Sequence, residues 1–580
     1  MKVFKILLLA AGGIVVLIVL VIAIVAATFD PNKYKPEIAA AVKDKTGRTL
    51  AIEGSLGLSF FPSIGIAVGK TSLSEPNGSG IFARFDGAKV SLALLPLFSR
   101  QVVIDRVTLS GLTADLVKRK DGRTNFDDLL NAPGRAGAVE AQPKPAPQRE
   151  AMHLDIAGID IRSSAIAWRD ESSGNRFKAS VAEFKTGRIA SGVPGKLSLS
   201  AKIEGIKPRA SLQIKFSSGY RLDFEKQKFA LSGIDLKLSE EGAGGNAFET
   251  SLKGEMEIDL APQSIQFDLA VDRLDVDSYL GAAKGKAAAS GGRPAAGAEE
   301  PIDLSALKGL NLKGKLRISQ LTVSNIKAEK VDLGVRATGG RVEVNPLSAS
   351  LYQGNLTGSA SVNANGNRLA MKGQLGGVAI GPLLRDALNN DLLEGRGSVT
   401  LDVQTGGATV SAMKKALSGN ASLALRDSSL KGVNLGELLR KAKSLRESNP
   451  PAEQGALPAE RTDFTELGAS FVIRNGVAHN DDLSAKSPLL RLAGSGDVDI
   501  GANSIDYLIK ASVVASSGGQ GGKELAELRG VTVPVKVSGP LDAPRFRADL
   551  RATVGDAVKQ RAEDKLKERA QDRLKGLLRR

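Results

Sequence analysis

Cysteine is absent from this 580-residue chain, and histidine occurs only twice, at His153 and His479. The chain therefore forms no disulfide and no thiolate metal site, and an imidazole site for acid–base chemistry or metal binding would need converging partners for these two rings. Aromatic residues make up only 4% of the sequence, so few rings are available to stack on nucleic-acid bases. These shortages count against a metalloenzyme and against a nucleic-acid-binding protein.

Motifs for catalysis or phosphate binding are also missing. The glycine-rich stretch GAGGNAF (242–248) has no Lys-Ser/Thr after it and is predicted to be a linker. Asp497, Asp499, Asn503 and Asp506 loosely suggest oxygen ligands for calcium, but their spacing differs from an EF-hand loop, and alternation explains the aspartates as the outward face of a strand. We therefore predict no enzymatic activity, no cofactor and no metal site.

The composition favours short strands and turns, with 64 glycines and 23 prolines. The formal net charge of +16 is compatible with nucleic acid or with an anionic lipid surface. Because no nucleic-acid-binding signature accompanies the charge, a lipid surface is the better interpretation and nucleic acid is not an expected partner.

An uninterrupted apolar run extends from Ile6 to Ala27. As a helix it would measure roughly 33 Å, enough to cross the ~30 Å hydrocarbon core of a bilayer. A cleaved signal peptide is the alternative, but its apolar core is usually about 7–15 residues long, and Ala23–Ala27 makes a poor cleavage site. We predict a single-pass membrane anchor. Lys2 and Lys5 favour a cytoplasmic N-terminus, which would leave the bulk of the chain on the other side of that membrane.

Period-two alternation between Leu467 and Phe546, broken at Asn475-Gly476 and Gly539-Pro540, predicts antiparallel strands with one aliphatic face. Such a face is either covered, as a core, or left as a groove for an apolar ligand. The alternation alone favours the core, because buried faces are the norm, and the family resemblance described below favours the groove. The residues of this parity in several strands are the candidate groove residues: Leu316, Ile318, Val399, Leu401, Val403, Leu490, Leu492, Ile505, Tyr507, Ile509, Val531, Val533, Val535 and Val537.

Three similar segments predict strands that lead into short helices: LDVDSYL (274–280), VAIGPLL (378–384) and VNLGELL (433–439). Ala548–Arg580 is predicted to be a basic amphipathic helix, because apolar residues recur every four positions. It is either a solvated cap or a helix that docks on a membrane surface or a partner.

Both ends of the chain resemble the AsmA family. At the front, the apolar run is followed by a helix-like stretch, TGRTLAIEG, FPSIGIAVG and the turn Lys-Asp-Gly-Arg-Thr-Asn-Phe (120–126). At the back, FVIRNGVAHNDDLSAKSPLLRLAGSGDVDIGANSIDY (471–507) precedes LRGVTVPVKVSGPLDAPRF (528–546). The resemblance implies a bacterial inner-membrane anchor with the bulk of the chain in the periplasm, and an elongated trough-like antiparallel β-sheet. It also implies apolar contacts with phospholipid acyl chains carried between the envelope's membranes.

The expected fold is mainly β with short helices, and the expected function is lipid binding or transfer in outer-membrane biogenesis, with a possible envelope protein partner at the far end. The alternative is an envelope scaffold or regulator of outer-membrane protein assembly that moves no lipid. The expected segments are an anchor (1–29), an N-terminal β region (30–130), a flexible insertion (131–150), a central β region (151–280), a second insertion (281–301), β/short-helix repeats (302–446), a linker (447–460), a C-terminal β region (461–550) and the basic helix (551–580).

Overall fold

The structure is a computed structural model that describes residues 30–59, 63–76, 78, 80–93, 103–130, 155–207, 209–240, 248–277, 299, 301–390, 392–444, 452–455, 457–514 and 532–548. Its internal contacts divide the chain into two units, Met1–Asp272 (unit 1) and Arg273–Arg580 (unit 2). Each unit is mainly β, with a few short helices among the described residues.

The described part of unit 1 begins with a 3-10 turn (Pro31–Tyr34) and helix α1 (Lys35–Thr46), which ends at Gly47 in a left-handed conformation. A second, single-turn helix, α2, covers Asp127–Leu130. The strands are β1 (Leu50–Ile52), β2 (Leu56–Ser59), β3 (Ser63–Val68), β4 (Thr71–Ser74), β5 (Ile81–Phe85), β6 (Gly87–Ala93), β7 (Ile104–Ser110), β8 (Thr113–Lys118), β9 (Asp155–Ile156), β10 (Ile159–Asp170), β11 (Arg176–Thr186), β12 (Ile189–Ala190), β13 (Pro194–Lys207), β14 (Arg209–Asp223), β15 (Lys228–Glu240), β16 (Phe248–Leu260) and β17 (Gln263–Asp275).

Most strands of unit 1 pair antiparallel with a sequence neighbour. The main path runs β2–β3–β6–β7, crosses to β10 and continues through β11, β13, β14, β15 and β16 to β17. The crossing is parallel: β10 pairs first with β7 and then, beyond the positive-φ residue Ser163, with β8. A side branch, β8–β5–β4–β1, leaves the sheet there.

A fully buried arginine, Arg48, holds this side branch to α2. Its guanidinium donates to both carboxylate oxygens of Asp128, at 2.7 and 2.6 Å, and to the carbonyls of Ser74 and Asn125. The ring of Phe82 lies 4.4 Å below it. The guanidinium lowers the pKa of the Asp128 carboxyl. Because the donors have oxygen partners and the charge has a carboxylate, this buried cation is structurally satisfied.

Unit 2 contains a 3-10 turn (Ser305–Gly309) and the helices α3 (Ile380–Leu388), α4 (Val410–Ala416) and α5 (Leu435–Ser444). Its strands are β18 (Leu312–Val323), β19 (Ile326–Thr338), β20 (Arg341–Leu351), β21 (Gly354–Asn363), β22 (Arg368–Ala379), β23 (Leu393–Gly406), β24 (Ser418–Gly432), β25 (Ala452–Gly455), β26 (Leu457–Arg474), β27 (Val477–Lys486), β28 (Leu490–Asp499), β29 (Ser504–Val513), β30 (Thr532–Pro540) and β31 (Arg545–Ala548).

These strands form an antiparallel meander from β18 to β24 that passes through β26 to β31. The last strand, β31, pairs with β25, which directly precedes β26 in the chain. The pairing path from β26 to β31 thus returns to its own starting point. We call β25–β31 the closed ring.

The described strands and helices test several of the predictions made from the sequence. The mainly β, mostly antiparallel architecture is confirmed, and so are the strand-to-helix transitions at 378–384 and 433–439, which become β22–α3 and β24–α5. The prediction of a linker at 447–460 is wrong for residues 452–455 and 457–460. Residues there form β25 and the start of β26, because backbone pairing to β31 and β24 orders a stretch with no apolar alternation of its own.

Other predictions fall outside the described residues: the anchor at 6–27, the basic helix at 551–580, most of the insertions 131–150 and 281–301, and the end of the repeat at 274–280. None of the helices that the structure does describe has the length and apolar character needed to cross a membrane. The remaining segment boundaries stay predictions.

Candidate functional site

One apolar row crosses unit 1 from edge to edge. Cross-strand register places an apolar side chain at each of eleven successive positions along the main path. We call this set the long row: Leu56, Val68, Ala88, Leu109, Ile161, Phe184, Leu199, Phe216, Leu236, Leu252 and Val271. Ten inter-strand steps of ~4.8 Å give it a path of about 48 Å.

The long row is only partly shielded from solvent. Leu56 is buried, whereas the ten others are half-buried. The opposite face of the same strands is polar; Glu183, Ser200, Lys215, Lys237 and Ser251 form one of its rows. Unit 1 therefore has one aliphatic face, and most of that face keeps contact with water.

A second half-buried aliphatic face lies in unit 2, on β18–β24. One of its rows runs Leu316, Leu333, Leu347, Gly358, Gly373, Leu401 and Ala421. All of these except Gly373 are half-buried. At Gly358 a Cβ atom would come within 2.2 Å of the Lys372 carbonyl oxygen, so the close approach of β21 and β22 requires glycine there. We call this surface the open face.

One end of the open face is covered by α3, which contacts β19 and β23. Val378, at the end of β22, is 0% exposed, and Ile380, at the start of this helix, is 3% exposed. Ile318 in β18 and Val331 in β19 are 2% and 3% exposed. Tyr352 donates from its hydroxyl to Asp386 of α3 at 2.8 Å. The helix is thus fixed against the strands at this end, and the middle rows remain half-buried.

In the closed ring, the same kind of aliphatic face is covered by a helix. Leu435, Leu438 and Leu439 of α5 are 0% exposed and pack in one cluster with the inward residues of the ring. The cluster contains Val433, Phe464, Ala485, Leu490, Leu492, Tyr507, Ile509, Ala511, Val513, Val533, Val535, Val537, Phe546 and Ala548. Helix and ring together make a conventional hydrophobic core.

Three polar side chains in this core, Thr462, Asn480 and Tyr507, are hydrogen-bonded. Thr462 accepts from the Leu435 backbone N–H at 2.9 Å and donates to the Val433 carbonyl at 2.8 Å, which ties the first turn of α5 to β26. The Tyr507 hydroxyl donates to the Asn480 side-chain oxygen, and both residues are buried. Burial raises the pKa of Tyr507. These links specify the position of the helix and the closure of the ring.

The candidate groove residues therefore divide between the two places. Leu316, Val399, Leu401 and Val403 are half-buried on the open face, and Ile318 lies at its end covered by α3. Ile505 packs against the core of the closed ring, and seven others are buried in it: Leu490, Leu492, Tyr507, Ile509, Val533, Val535 and Val537. Val531 lies outside the described residues. Lipid contact for all of them remains a prediction, and the half-buried ones have room for it in this conformation.

Two sets of residues were not singled out from the sequence. The long row includes Phe184, Leu199 and Phe216, whose strands alternate plainly but carry no distinctive motif. The helix residues Leu438 and Leu439 belong to the VNLGELL repeat. Their helical spacing after a strand could have indicated a cover for the valine strands.

The polar candidates lie on outer surfaces. His479 contacts Asp497 through Nδ1 at 2.6 Å and Asp481 through Nε2 at 3.0 Å, which raises its pKa. Asp499 accepts from the Ala502 backbone N–H, and Asp506 pairs with Lys536. Within the described ranges, no group of three His, Asp or Glu side chains could hold a metal ion. His153 is not among the described residues.

Comparison with known proteins agrees with this architecture. The AsmA family profile matches residues 1–260 and 258–483, which together cover most of the chain. The chain belongs to the AsmA family. This AsmA-family chain is also 23% identical over 579 residues to Protein AsmA of Escherichia coli (strain K12), an alignment that covers 92% of each protein. No solved structure matches it.

Proposed function

We propose that this AsmA-family protein is a membrane-anchored envelope protein, not an enzyme, whose half-buried aliphatic faces hold phospholipid acyl chains during outer-membrane biogenesis. The observation that carries the proposal is the long row. Its eleven positions are all apolar, yet ten of them are only half-buried. An aliphatic surface of this extent favours an apolar ligand, because exposed apolar area is unfavourable in water.

The free energies of lipid contact favour movement of a lipid along the row over tight binding at one position. Each acyl methylene removed from water contributes about 0.8 kcal/mol. Release of a lipid from the row into solvent is therefore strongly unfavourable. A lipid that comes from a bilayer exchanges one apolar environment for another, and the net free energy of that step is small. The Val, Leu, Ile and Phe side chains of the row form no directional interactions with an acyl chain. A path of ~48 Å exceeds the ~15 Å depth of one leaflet, so an acyl chain can occupy several positions along it.

The periplasmic placement rests on the predicted anchor at residues 6–27, with a cytoplasmic N-terminus. The partners of this function are then the inner membrane and phospholipids, with an envelope protein at the far end. The half-buried members of the open face, Leu316, Val399, Leu401 and Val403, would contact acyl chains in unit 2.

Site-specific photocrosslinking in cells tests the proposal. A benzoylphenylalanine at Phe216, in the long row, should give a phospholipid adduct of the full-length chain, detectable by mass spectrometry. Phe464, which is 3% exposed in the closed ring, provides an isosteric control that should give none. Lys215, on the opposite face of the same strand, provides a control for non-specific labelling.

Absence of an adduct at Phe216, together with lipid-free purified protein, would overturn the proposal. The alternative, a scaffold or regulator of outer-membrane protein assembly that moves no lipid, predicts that result. Adducts of equal yield at Phe216 and Lys215 would also count against it, since lipid would then be in contact with both faces.

A further inference from the structure

Three large aliphatic side chains form an exposed patch near the start of unit 1. Ile64, Ile66 and Val90 are 36%, 55% and 45% exposed. Register pairs Ile66 with Val90, and Ile64 with Leu92, so the three side chains lie next to one another on one face of β3 and β6. We call them the N-terminal patch. Their exposure exceeds that of the half-buried long row.

The opposite face of the same two strands is the shielded one. Gly65 and Ser91 alternate with the patch residues and are buried, and Ser91 is only 3% exposed. The Ser91 hydroxyl donates to the Arg106 carbonyl at 3.5 Å. The strands are therefore held with their small and polar residues inward and their aliphatic residues outward. A surface built in this orientation indicates contact with an apolar partner.

The chain reaches this part of the sheet directly from the apolar N-terminal run. The Asn32 side chain accepts from the Leu56 backbone N–H at 2.9 Å and donates to the Leu56 carbonyl at 3.4 Å. Leu58, two residues further along β2, pairs with Ile66 of the patch, a displacement of about 7 Å. The apolar run ends at Ala27, and five residues span at most about 17 Å. A bilayer entered by that run therefore lies within reach of the patch.

The sequences that connect these strands are also apolar. Ser63 pairs with Ala93, and Leu92 with Ile104, so the β2–β3 and β6–β7 connections leave the same end of the sheet. Their sequences are Phe-Phe-Pro (60–62) and Leu-Leu-Pro-Leu-Phe-Ser-Arg-Gln-Val-Val (94–103). All but the last of these residues lie outside the described ranges, and the patch consists of the described strands alone.

We propose that the N-terminal patch docks on the surface of the phospholipid bilayer entered by residues 6–27. The docked patch holds the first strands of unit 1 against the membrane, so that the start of the long row at Leu56 lies beside the lipid. The patch shares its face of β3 and β6 with Val68 and Ala88 of the long row, and the docking requires only that the apolar run insert.

The absence of cysteine permits a clean test with single-cysteine variants of the full-length chain. Ile66→Cys and Val90→Cys are each labelled with a polarity-sensitive fluorophore and reconstituted into liposomes that contain brominated phospholipids. Leu260→Cys is the matched control, because Leu260 is 62% exposed in the β16–β17 hairpin, at the other end of the pairing path. All three sites are exposed enough to accept the change without loss of the fold.

We expect loss of fluorescence with brominated lipid at positions 66 and 90, and quenching by aqueous iodide at 260. Iodide quenching at 66 and 90 would show the patch in water and overturn the inference. Protection from both quenchers would also overturn it, because the cover would then be protein, such as residues 94–102 or a second copy of the chain. Lipid quenching at 66, with no phospholipid adduct at Phe216 and with lipid-free purified protein, would leave the docking intact and refute the lipid-carrying function alone.

Discussion

The open face and the closed ring of unit 2 have the same sequence pattern and different solvent exposure. In both, aliphatic residues alternate with polar ones along antiparallel strands. Val403 on the open face is half-buried, whereas Val533 and Val535 in the ring are 0% exposed. Two features make the difference: the β25–β31 pairing closes the strands on themselves, and α5 places three leucines inside.

Alternation thus specifies a face, and the elements that follow in the chain decide whether it becomes a core. The distribution of buried residues across the described chain supports this. Among the described residues, unit 1 buries five hydrophobic side chains, Leu56, Phe82, Ala190, Tyr220 and Ile234, whereas the ring and α5, with Val433, form a cluster of seventeen. A protein whose aliphatic surface served only for stability would bury more of it. The half-buried rows are therefore the places to look for function.

The largest expected effect separates two valines of the same parity. Val535→Asp places a carboxylate in the core of the ring, where an unpaired charge is costly, and we expect a loss of about 4–5 kcal/mol of unfolding free energy. Val403→Asp on the half-buried open face should cost about 1–2 kcal/mol, because its carboxylate can reach water. Urea unfolding of the full-length variants, with hydrogen exchange of β29 and β30 peptides, measures both.

The same two variants can contradict the difference in burial between the open face and the closed ring. If Val403→Asp were as destabilising as Val535→Asp, the open face would be a closed core in solution and could not receive lipid. If both were mild, the ring would be open as well. Only a large difference, with exchange in β29 and β30 increased by Val535→Asp alone, agrees with the structure.

Leucine-to-alanine substitutions test the same difference in burial between the closed ring and the open face, with smaller expected losses of stability. Leu439→Ala leaves a cavity under α5 and should cost about 2–5 kcal/mol. Leu401→Ala removes a side chain that is already half in contact with water, so a loss of about 1 kcal/mol is expected. Leu388→Ala, at a residue 69% exposed at the end of α3, should change little. Thermal unfolding midpoints rank the three, and the order Leu439, Leu401, Leu388 is the expected one.

The sequence is sufficient to predict the strands, their turns and the transitions from strand to helix. Asn475 and Gly476 have positive φ angles of 49° and 80° at the β26–β27 turn, as the Asn-Gly pair indicates. Ring closure was not predictable in the same way. β25 is held by backbone hydrogen bonds to β31, and its sequence, Ala-Glu-Gln-Gly, has no alternation to reveal a strand. The valines of β30 were consequently assigned to a groove as readily as to a core.

The smallest expected effect concerns the outer face of the ring, where His479 alternates with the buried residues Ala478 and Asn480. Hydrogen bonds to Asp497 and Asp481 raise its pKa above 6.5, and nearby Asp506 is paired with Lys536. Because the folded pKa is raised, the stabilising contribution of protonated His479 is fully present below pH ~6.5. It is lost as the pH rises through the folded value. The imidazole proton resonances of the full-length chain in micelles report this titration, with the His479 signal assigned by its loss in His479→Gln.

We expect a titration midpoint above 6.5 for His479 and a lower midpoint in Asp497→Asn, which removes the first of the two hydrogen-bonded carboxylates. Because the group is exposed, deprotonation should leave the protection of the Asn480–Tyr507 link inside the ring unchanged. If hydrogen exchange around Tyr507 instead followed the titration of His479, the outer and inner faces of the ring would be coupled. The closed core would then respond to pH at its surface, and the separation between a covered and an uncovered aliphatic face would depend on conditions, not on the fold alone.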